Sequence, residues 1–394
     1  VCGLEQPIFF SLCLTSANPP YMGSSNMDAK LSEFVKKHYP DSKSDLFAVF
    51  IERCGQMTAQ NRYQAMITQH AWMFLSSFEK LRTKLLLKDT VNMAHLGPRA
   101  FEEIGGEVVQ TTSFVLRNSH IADYKGTYCR LIEPTTQQGK EDLFLSGESR
   151  YVAQQSNFSK IPGSPVAYWV SEALLQVFER GILLGTIADS KQGLATGDNN
   201  RFLREWYEVY TSKIKFVAVN TEDASQSNYK WFPYNKGGEF RKWYGNNDYI
   251  VNWGNDGFEI KHFKDENGKL RSRPQNTNYY FRESASWSLV TSSVAAFRYK
   301  PQGNIFDVAG MSFFSKEKLL YLLALCNSKI VMEILKIIAP TINFQCGDIA
   351  NIPVLFCEQQ NRQIENLVSD NIDLSRTDWD SFETSWDFKR HPLV

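Results

Sequence analysis

The sequence predicts an α/β protein whose two parts differ in local pattern. Up to about residue 150, apolar runs typical of strands alternate with helical repeats, and this alternation is characteristic of a sheet covered by helices. Between Gly197 and Phe306 the segments become short, aromatic and interrupted by turns, which indicates an irregular, β-rich region within a mixed α/β domain. Because 394 residues exceed what one ordinary core accommodates, we expect about two domains.

The elements of the first part follow from their periodicity. PIFFSLCLTSA is apolar almost throughout and predicts a buried strand, while SDLFAVFIERC and SFEKLRTKLLL have the spacing of helices. YQAMITQHAWMFL begins as a β-rich run, and GEVVQTTSFVLRN alternates polar and apolar residues as a strand does. Strands and helices are therefore expected in alternation.

The C-terminal part is predicted to be helical. SKEKLLYLLALCNSKIVMEILKII indicates one or two buried helices that end at Pro340. The loop NFQCGDIANIPV leads to a helix that places four apolar residues on one face, namely Ile364, Leu367, Val368 and Ile372. The last segment, DLSRTDWDSFETSWDF, is acidic and aromatic, and we expect it to pack against a surface outside this chain.

Composition limits the classes of function. The chain has 43 basic and 43 acidic residues, so any nucleic-acid site must depend on local rather than net charge. Its seven cysteines form no C-x-x-C pair, which argues against a zinc knuckle or a disulfide framework and favours the reducing cytoplasm. No apolar run is long and uncharged enough to cross a bilayer, so we expect no membrane contact.

The four residues Asn18-Pro19-Pro20-Tyr21, called here the corner, form a stiff turn directly after the first predicted strand. Two prolines fix two φ angles and move Asn18 out of helical conformation, which leaves carbonyl groups without neighbouring donors. An amide oxygen beside such a carbonyl suits the binding of both hydrogens of a planar NH2 group, such as the exocyclic amine of adenine. Tyr21 offers a ring on which an extruded base stacks.

The corner also fits a plainer interpretation. A proline-stiffened turn with a tyrosine needs no ligand, and short motifs match by chance. Its position favours a site, because α/β folds bind ligands where their strands end. Both interpretations stay open on these four residues alone.

The second part has a local excess of positive charge. Residues 201–300 contain 16 lysine and arginine residues against 11 aspartate and glutamate residues, and 22 of the 53 aromatic residues. Basic side chains for phosphates, together with aromatic and amide side chains for bases, are what a DNA-binding surface needs. The alternative is a β-rich domain with solvated charges and a core rich in tryptophan.

Two segments of this region are the best candidates for DNA contact. KGGEFRKWYG combines cations with two glycines that allow close backbone approach, and KLRSRPQN places three cations in a loop. The candidate residues are Lys236, Gly237, Gly238, Arg241, Lys242 and Trp243 in the first segment and Lys269, Arg271 and Arg273 in the second. His70, His95 and His262 stand alone in the sequence, so we predict no metal site.

Several segments resemble one family of enzymes. NPPYMGSSNMDAKLSEFVKKHYPDSKSDLFAVFIERC is similar to the catalytic motif and following helices of amino-type adenine DNA methyltransferases, and most closely of the PglX methyltransferases of BREX phage-defence systems. The similarity continues, from about residue 16 to the end, through MITQHAWMFLSSFEKLR, GEVVQTTSFVL, TGDNNRFLREW, KGGEFRKWYGN, SWSLVTSSVAAFRY and INFQCGDIANIPV.

The resemblance implies methylation of adenine N6 with S-adenosyl-L-methionine, followed by a domain that recognises double-stranded DNA. It makes residues 1–150 the C-terminal part of a Rossmann-like methyltransferase domain, residues 160–357 a mixed α/β target-recognition domain and residues 358–394 a helical C-terminal segment. The corner would bind and stack the flipped adenine. Phe114 is a second stacking candidate, or an ordinary core residue. Other phage-defence proteins are implied as partners.

One departure from the family concerns the cofactor. The family has a strand and a glycine-rich turn for S-adenosyl-L-methionine upstream of the corner, whereas only 17 residues precede Asn18. No such turn occurs among them. We therefore expect the first strands of the sheet and most of the cofactor pocket to be absent, and the chain to be a fragment that binds the cofactor poorly by itself.

Three functions stay open. The favoured one is site-specific adenine methylation of DNA in a phage-defence or restriction-modification system. The main alternative is a DNA-binding recognition module without catalysis. The third is methylation of protein glutamine or of RNA, which also uses N-P-P-Y but would not need so large a basic and aromatic region. The sequence contains no convincing nuclease pattern and no ATP-binding loop.

Overall fold

The computed structural model describes residues 12–101, 109–291, 294–340, 342–391 and 393. They form two compact units, divided between Glu179 and Arg180. Residues 7–11 of the first predicted strand and residues 106–108 of GEVVQTTSFVLRN lie outside the described residues. The division into functional domains at residues 150, 160 and 357 stays a prediction.

The first unit combines strands and helices in alternation, as predicted. Its strands are β1 (Leu12–Ala17), β2 (Thr58–Gln69), β3 (Asp89–Gly97), β4 (Thr111–Arg117), β5 (Lys125–Arg130) and β6 (Arg150–Gln154). Its helices are α1 (Ala29–His38), α2 (Leu46–Met57), α3 (Glu79–Leu85), α4 (Gln137–Ser146) and α5 (Glu172–Arg180), which ends at the division. Short 3-10 helices span Ser24–Asn26, His70–Met73, Ser76–Phe78 and Gln155–Lys160.

The described strands of this unit form one mixed sheet in the order β1-β2-β4-β3-β5-β6. β1 pairs in parallel with β2, and β3 pairs in parallel with β5. β4 runs antiparallel between β2 and β3, and β6 runs antiparallel to β5. Consequently β1, β2, β3 and β5 point the same way, and their carboxyl ends lie at one edge. The predicted α/β fold class is confirmed.

The first strand is not buried as the sequence predicts. β1 has a neighbour on one side only among the described strands. Of its residues only Thr15 is buried, whereas Leu14 is 60% exposed. A strand with one neighbour has less of its surface covered, so the apolar run corresponds to an outer strand with an apolar side chain in contact with solvent.

Helix α2 covers the sheet through an apolar face. Its residues Phe47, Ile51 and Cys54 are buried in one core with Met66 of β2 and Phe114 of β4. The helix predicted from SDLFAVFIERC is therefore confirmed. Burial of this face, rather than helix propensity, supplies most of the stability of such a helix.

The second unit consists of short elements, as its turn-rich sequence predicts. Its strands are β7 (Ile182–Leu183), β8 (Asp189–Lys191), β9 (Leu203–Glu205), β10 (Trp231–Asn235), β11 (Tyr249–Asn252), β12 (Ser284–Trp287), β13 (Phe297–Lys300), β14 (Ile305–Phe306), β15 (Ser312–Phe314) and β16 (Pro353–Val354). Its helices are α6 (Asn199–Phe202), α7 (Thr221–Gln226), α8 (Gly254–Lys261), α9 (Leu319–Cys326), α10 (Lys329–Ile338), α11 (Cys346–Ala350) and α12 (Asn361–Trp379). Its 3-10 helices span Leu184–Thr186, Trp206–Glu208, Thr211–Lys213, Thr277–Tyr279 and Glu358–Gln360.

Two four-stranded sheets organise the second unit. One has the order β14-β10-β11-β9 and the other β13-β12-β15-β8, while β16 pairs with β7. Large aromatic side chains, among them Trp253, Phe232 and Phe281, fill a core beside the first of these sheets. Nine of the 22 aromatic residues counted in residues 201–300 are buried, so part of them belong to the core, as the alternative interpretation expects.

The C-terminal helices agree with the sequence in number and partly in orientation. Two helices, α9 and α10, form where one or two were predicted. The Ser328 side chain caps the start of α10, where its hydroxyl accepts a hydrogen bond from the Val331 amide at 3.3 Å. In α12, Val368 and Ile372 are buried, whereas Leu367 is 55% exposed.

The acidic, aromatic end of the chain packs on the second unit itself. Asp378 pairs with Arg241, and the Trp386 ring lies 5.3 Å from that of Phe216. The expectation of an outside surface for this segment was therefore wrong. Two of its acidic residues, Asp373 and Asp378, pair with arginines within the unit, which composition alone did not indicate.

Arg82 of α3 is a buried cation in the first unit, only 2% exposed. Its guanidinium donates to the carbonyl oxygens of Trp72 at 2.9 Å, Leu75 at 2.7 Å and Gly163 at 2.7 and 2.9 Å. One side chain thus satisfies the backbone acceptors of two separate loops.

Replacing this cation should destabilise the first unit strongly. Arg82→Met leaves the carbonyl groups of Trp72 and Gly163 without their donor, whereas the Leu75 carbonyl keeps the Phe78 amide, and we expect the free energy of unfolding to fall by about 3 kcal/mol. Lys80→Met, on the exposed side of the same helix, is the matched control and should change it by less than about 0.5 kcal/mol. Equal losses in urea denaturation of the two variants would contradict this assignment.

Candidate active site and DNA-contact residues

The corner lies where the carboxyl ends of four strands meet. In the parallel ladder Ala17 of β1 is opposite Met66 of β2, and His95 of β3 is opposite Arg130 of β5. Asn18 follows Ala17 directly, so the corner continues beyond this shared edge. Open α/β sheets bind their ligands at this edge.

Two oxygen atoms of the corner are candidates for ligand binding. Pro19 is buried, whereas Asn18 and Pro20 are exposed. Within the described residues, neither the Asn18 side chain nor the Pro19 carbonyl has a hydrogen-bond partner. A buried proline between exposed residues fixes the backbone while its neighbours remain in contact with solvent.

Tyr21 is held against the core by one edge of its ring. The ring is half-buried and meets that of Phe47 edge-on, at 6.0 Å between centroids and an angle of 81°. Burial raises the pKa of the Tyr21 phenol, and its hydroxyl group has no partner among the described residues. Such a ring has little rotational freedom left to lose when a planar ligand stacks on it.

The chain after the corner runs beside the start of α2. The Leu46 amide donates to the Met22 carbonyl and the Ser24 amide to the Ser44 carbonyl, both at 3.0 Å. The position of α2 therefore determines the path of the backbone immediately after Tyr21.

Two histidines at the same edge form a pair that the sequence did not indicate. His70 follows β2 and His95 lies in β3; the His70 Nδ1 and the His95 Nε2 are 2.8 Å apart, and the His95 Nδ1 is 3.2 Å from the Tyr168 hydroxyl. Burial lowers the pKa of His70 to about 4. It also lowers the pKa of His95 to about 3, with the nearby positive groups as smaller causes. Both rings are therefore neutral at pH 7.

Phe114 does not offer a face to a base. Its side chain is 1% exposed and packs edge-on against Trp72, with ring centroids 5.2 Å apart. It belongs to the core together with Met66 and Met93. The structure corrects the stacking candidate to the ordinary core residue that the sequence left as its alternative, because inward-facing strand positions in this sheet are closed to solvent.

The glycines of the first candidate segment serve the fold. Gly237 is buried, with φ of +85°, and a Cβ atom there would lie 2.8 Å from the Ala309 carbonyl oxygen. At Gly238, with φ of +121°, it would lie 2.8 Å from the Asn246 Nδ2. The close approach at Gly237 is made by the chain itself and not by DNA, because only glycine fits this conformation and this space.

Three further residues of that segment are engaged within the second unit. Arg241 pairs with Asp378, and the Lys242 ammonium donates to the Asn327 carbonyl at 2.9 Å. Trp243 exchanges backbone hydrogen bonds with β13. Arg241 and Lys242 therefore already have acceptors within the unit, and the assignment of all three residues as DNA ligands stays a prediction.

Lys236 differs from the rest of the segment. Its ammonium group lies 4.5 Å from the centre of the Tyr249 ring. Both residues line a pocket of about 650 Å³ together with Asn199, Asn200, Leu203, Arg204, Glu205 and Glu208. Lys236 is therefore the cation of the first segment that still faces an open space.

Two buried cations of β13 hold the loop between β10 and β11. Arg298 donates to the Arg241 carbonyl at 3.2 Å, and Lys300 donates to the carbonyls of Gly245 at 2.9 Å and Asn246 at 3.0 Å. Burial lowers the pKa of Arg298 to about 10 and that of Lys300 well below its ordinary value. Part of the positive charge in the 201–300 region is thus internal.

The second candidate segment lies on an exposed hairpin formed by residues 264–270. The Asp265 amide donates to the Lys269 carbonyl at 2.8 Å, and the Lys269 amide donates to the Asp265 carboxylate at 2.9 Å. Lys269, Arg271 and Arg273 are all exposed. Unlike the first segment, this one presents its cations to solvent on an ordered turn.

A loop that the sequence did not select lies beside this hairpin. Ala195 and Arg273 exchange backbone hydrogen bonds of 2.8 and 3.1 Å. A Cβ atom at Gly197 would lie 2.7 Å from the Arg271 backbone. The exposed residues Asn199 and Asn200 follow directly. The segment TGDNNRF could have indicated this loop only through a glycine that precedes two asparagines. Its position next to the basic hairpin follows from the fold and not from the sequence pattern.

Candidate metal-ligand clusters and candidate membrane-spanning helices are both absent from the described residues. The ranges 12–101, 109–291, 294–340 and 342–391 contain no cluster of three or more metal-ligating side chains. Among the same residues no helix combines the length and the apolar character needed to cross a bilayer. The described cysteines form no disulfide bonds.

Comparison with known sequences places the corner within a described family. The profile of the Eco57I restriction-modification methylase family matches residues 17–96. The adenine-specific methyltransferase PglX of Lacticaseibacillus casei (strain Zhang) is 44% identical over 391 residues, 97% of this chain and 32% of that protein. The adenine-specific methyltransferase BrxX of Escherichia coli O9:H4 (strain HS) is 41% identical over 385 residues, 96% of this chain and 30% of that protein. The chain spans about a third of the length of these curated relatives.

Solved structures support the fold. The type IIL restriction-modification enzyme MmeI, in complex with DNA, matches 95% of this chain and 50% of its own with a TM-score of 0.60 at 13% identity. The ATP-dependent type ISP enzyme LlaBIII, bound to DNA, matches 92% of this chain and 29% of its own with a TM-score of 0.50 at 11% identity.

The histidine pair should make the first unit sensitive to acid. The pKa values of both histidines are lower in the folded chain than in the unfolded one, so unfolding takes up protons. The resulting stability is present above about pH 6.5 and is lost as the pH falls towards 4, by about 3 kcal/mol for each of the two rings. In urea unfolding at pH 7 and pH 4.5, His70→Asn/His95→Gln should lose much less than the parent chain. His38→Gln, at an exposed histidine of α1, is the control and should behave like the parent.

Proposed function

We propose that the first unit of this chain, which belongs to the family of adenine-specific methyltransferases that includes PglX and BrxX, binds the target adenine. It would do so during N6 methylation of DNA. The observation that carries the proposal is the position of the corner at the carboxyl edge of parallel strands, with the Asn18 side chain and the Pro19 carbonyl unpaired within the described residues. The system it serves would be phage defence or restriction-modification.

The chemistry requires two fixed acceptors. The lone pair of the adenine N6 is delocalised into the ring, so the amine is a poor nucleophile. When the Asn18 amide oxygen and the Pro19 carbonyl each accept one N6–H, they draw the nitrogen towards tetrahedral geometry and direct its lone pair at the methyl donor. Rate enhancement then comes from positioning and from preorganised dipoles.

Tyr21 supplies the stacking surface for the flipped base. Extruding a base from a duplex costs a few kcal/mol, and stacking on an aromatic ring offsets part of that cost. The edge contact with Phe47 keeps the ring in place before the base arrives. Pro20 contributes by fixing the backbone between the acceptors and the ring.

S-adenosyl-L-methionine is the methyl donor that the family implies. No glycine-rich turn after a strand precedes the corner within residues 12–17, and we assign no cofactor contact to a residue of this chain. The outer side of β1 has no partner among the described strands. When bound, the cofactor would supply an electrophilic methyl group.

DNA contact by the second unit is proposed to involve the exposed hairpin more than the first candidate segment. Lys269, Arg271 and Arg273 are exposed and make no ion pair among the described residues, and a phosphate backbone needs such cations. Asn200 is exposed in the neighbouring loop, and amide side chains read adenine edges. Asn199 is also exposed, but its amide oxygen accepts a hydrogen bond from the Thr196 hydroxyl at 2.6 Å. Double-stranded DNA is the partner that these residues fit.

The second candidate function is a recognition module without catalysis. It is favoured by the exposed cations of the hairpin, because DNA binding by these cations does not require the corner. Salt-sensitive duplex binding by this chain without methyl transfer in any form of the gene product would support it. Other defence proteins as partners and a cytoplasmic location belong to the proposal, the latter in keeping with the unpaired cysteines.

Removing the Asn18 amide tests the catalytic proposal. Asn18→Ala should lower methyl transfer from S-adenosyl-L-methionine to unmethylated duplex DNA by about 100-fold or more, because one acceptor of the reacting amine is lost. The assay uses the natural gene product that carries this sequence. Asn26→Ala, at another exposed asparagine shortly after the corner, should retain activity. Full activity of the Asn18 variant would refute the assignment.

Neutralising the hairpin tests the proposed DNA surface. Each lost phosphate contact lowers the slope of log affinity against log salt by about 0.9, so Lys269→Gln/Arg271→Gln/Arg273→Gln should lower it by about 2 to 3. Lys30→Gln/Lys36→Gln/Lys37→Gln, three exposed lysines of α1, is the charge-matched control. Lys242→Gln should leave the slope unchanged, because its ammonium already has an internal acceptor. A larger change of the slope in the α1 control would indicate that the DNA-binding surface lies elsewhere.

A further inference from the structure

We infer that Asp45 is a positioning residue for the corner, and this inference rests on the proposed function. Asp45 precedes α2 and is 24 positions from the tyrosine of the corner, so nothing in the sequence connects the two. In the fold, one oxygen of its carboxylate accepts hydrogen bonds from two backbone amides, those of Met22 at 3.0 Å and of Phe47 at 3.3 Å.

The first of these hydrogen bonds acts on the corner directly. The Met22 amide belongs to the peptide group that joins Tyr21 to Met22, so the carboxylate fixes the plane of the peptide that leaves the stacking residue. The backbone bonds from Leu46 to the Met22 carbonyl and from Ser24 to the Ser44 carbonyl hold the same strip of chain from both sides. Asp45 and Gly23 form an isolated antiparallel bridge between these strips.

The second hydrogen bond connects that peptide to the core. The Phe47 amide lies in the first turn of α2, and the Phe47 ring is the side chain that meets Tyr21 edge-on. Phe47 is completely buried. A single carboxylate oxygen therefore couples the backbone of Tyr21 to the helix turn that also positions its ring.

This arrangement has a consequence for the reaction. The two acceptors for the amine and the stacking ring lie within four consecutive residues, so a small rotation of the last peptide changes the angle between ring and acceptors. Misplacement of reacting groups by about 1 Å lowers turnover by as much as about 100-fold. Ground-state DNA binding depends mainly on phosphate contacts, so it is not expected to change.

A matched control is available one helix earlier. Asp28 begins α1 in the same way, with its carboxylate accepting from the Leu31 amide at 2.8 Å, and it makes no other side-chain hydrogen bond among the described residues. Asp28→Ala removes a helix cap without touching the corner. Asp45→Asn keeps an oxygen in place and should preserve both hydrogen bonds, because asparagine is as good an N-cap as aspartate.

The decisive measurements are turnover and KM for DNA in the natural gene product, with hydrogen exchange of the Met22 amide. We expect Asp45→Ala to lower kcat by about 10- to 100-fold with little change in KM. Its Met22 amide should exchange about fivefold faster. Asp45→Asn and Asp28→Ala should match the parent in both readouts.

Four outcomes decide against the inference or separate it from the proposed function. Equal losses of kcat in Asp45→Ala and Asp28→Ala would reduce Asp45 to an ordinary helix cap. Failure of Asp45→Asn to restore turnover would show that turnover does not depend on these two hydrogen bonds, because asparagine keeps both of them. Unchanged exchange at Met22 in Asp45→Ala would show that the carboxylate does not hold that peptide. If the parent itself transfers no methyl group, the proposed function fails, while the exchange data still decide whether Asp45 orders the corner.

Discussion

The parallel pairing of β1 with β2 is the constraint on which the candidate site depends. A parallel pair cannot be closed by a tight turn and needs a crossover connection, which α1 and α2 provide here. The crossover returns the chain to the sheet edge, so the start of α2 comes to lie beside the residues that leave β1. The contact of Phe47 with Tyr21 and that of Asp45 with Met22 both follow from this topology. A shift of one residue in the ladder would reverse the faces of β1 and separate these groups.

The second unit divides its positive charge between internal and external tasks. Arg298 and Lys300 are almost completely buried and donate to backbone carbonyls instead of carboxylates. Such a cation is tolerated only when the acceptors around it are numerous and fixed, so it stabilises one conformation of the loop that surrounds it. Lys269, Arg271 and Arg273 are exposed on an ordered hairpin, and only such cations release counterions from DNA on binding.

The sequence predicted local features well and contacts between distant residues poorly. The position of the corner after a strand, helix α2 and the pair α9 and α10 follow from patterns within about 20 residues, and the structure contains them all. The sequence could not show that Arg241 has Asp378 as a partner 137 positions away. It also could not show that the Ala309 backbone occupies the space next to Gly237. The sequence around Arg241 and Gly237 therefore suggested exposed cations and a flexible backbone. Composition does not distinguish a cation in solvent from one that has a partner within the protein. The burial predicted for β1 failed for a similar reason, since apolar character does not tell how many neighbours a strand has.

The neutrality of the proposed base-binding groups is itself informative. The Asn18 amide and the Pro19 carbonyl carry no net charge, and the two histidines at this edge have pKa values that keep them neutral at pH 7. A carboxylate facing the amine would accept hydrogen bonds more strongly, but its desolvation by a bound base would be costly. Neutral acceptors avoid this cost and are effective only when their geometry is fixed in advance, because a dipole stabilises developing charge in one orientation. This requirement accounts for two consecutive prolines, a tyrosine ring packed on a buried phenylalanine and a carboxylate whose hydrogen bonds go to backbone amides and not to the substrate.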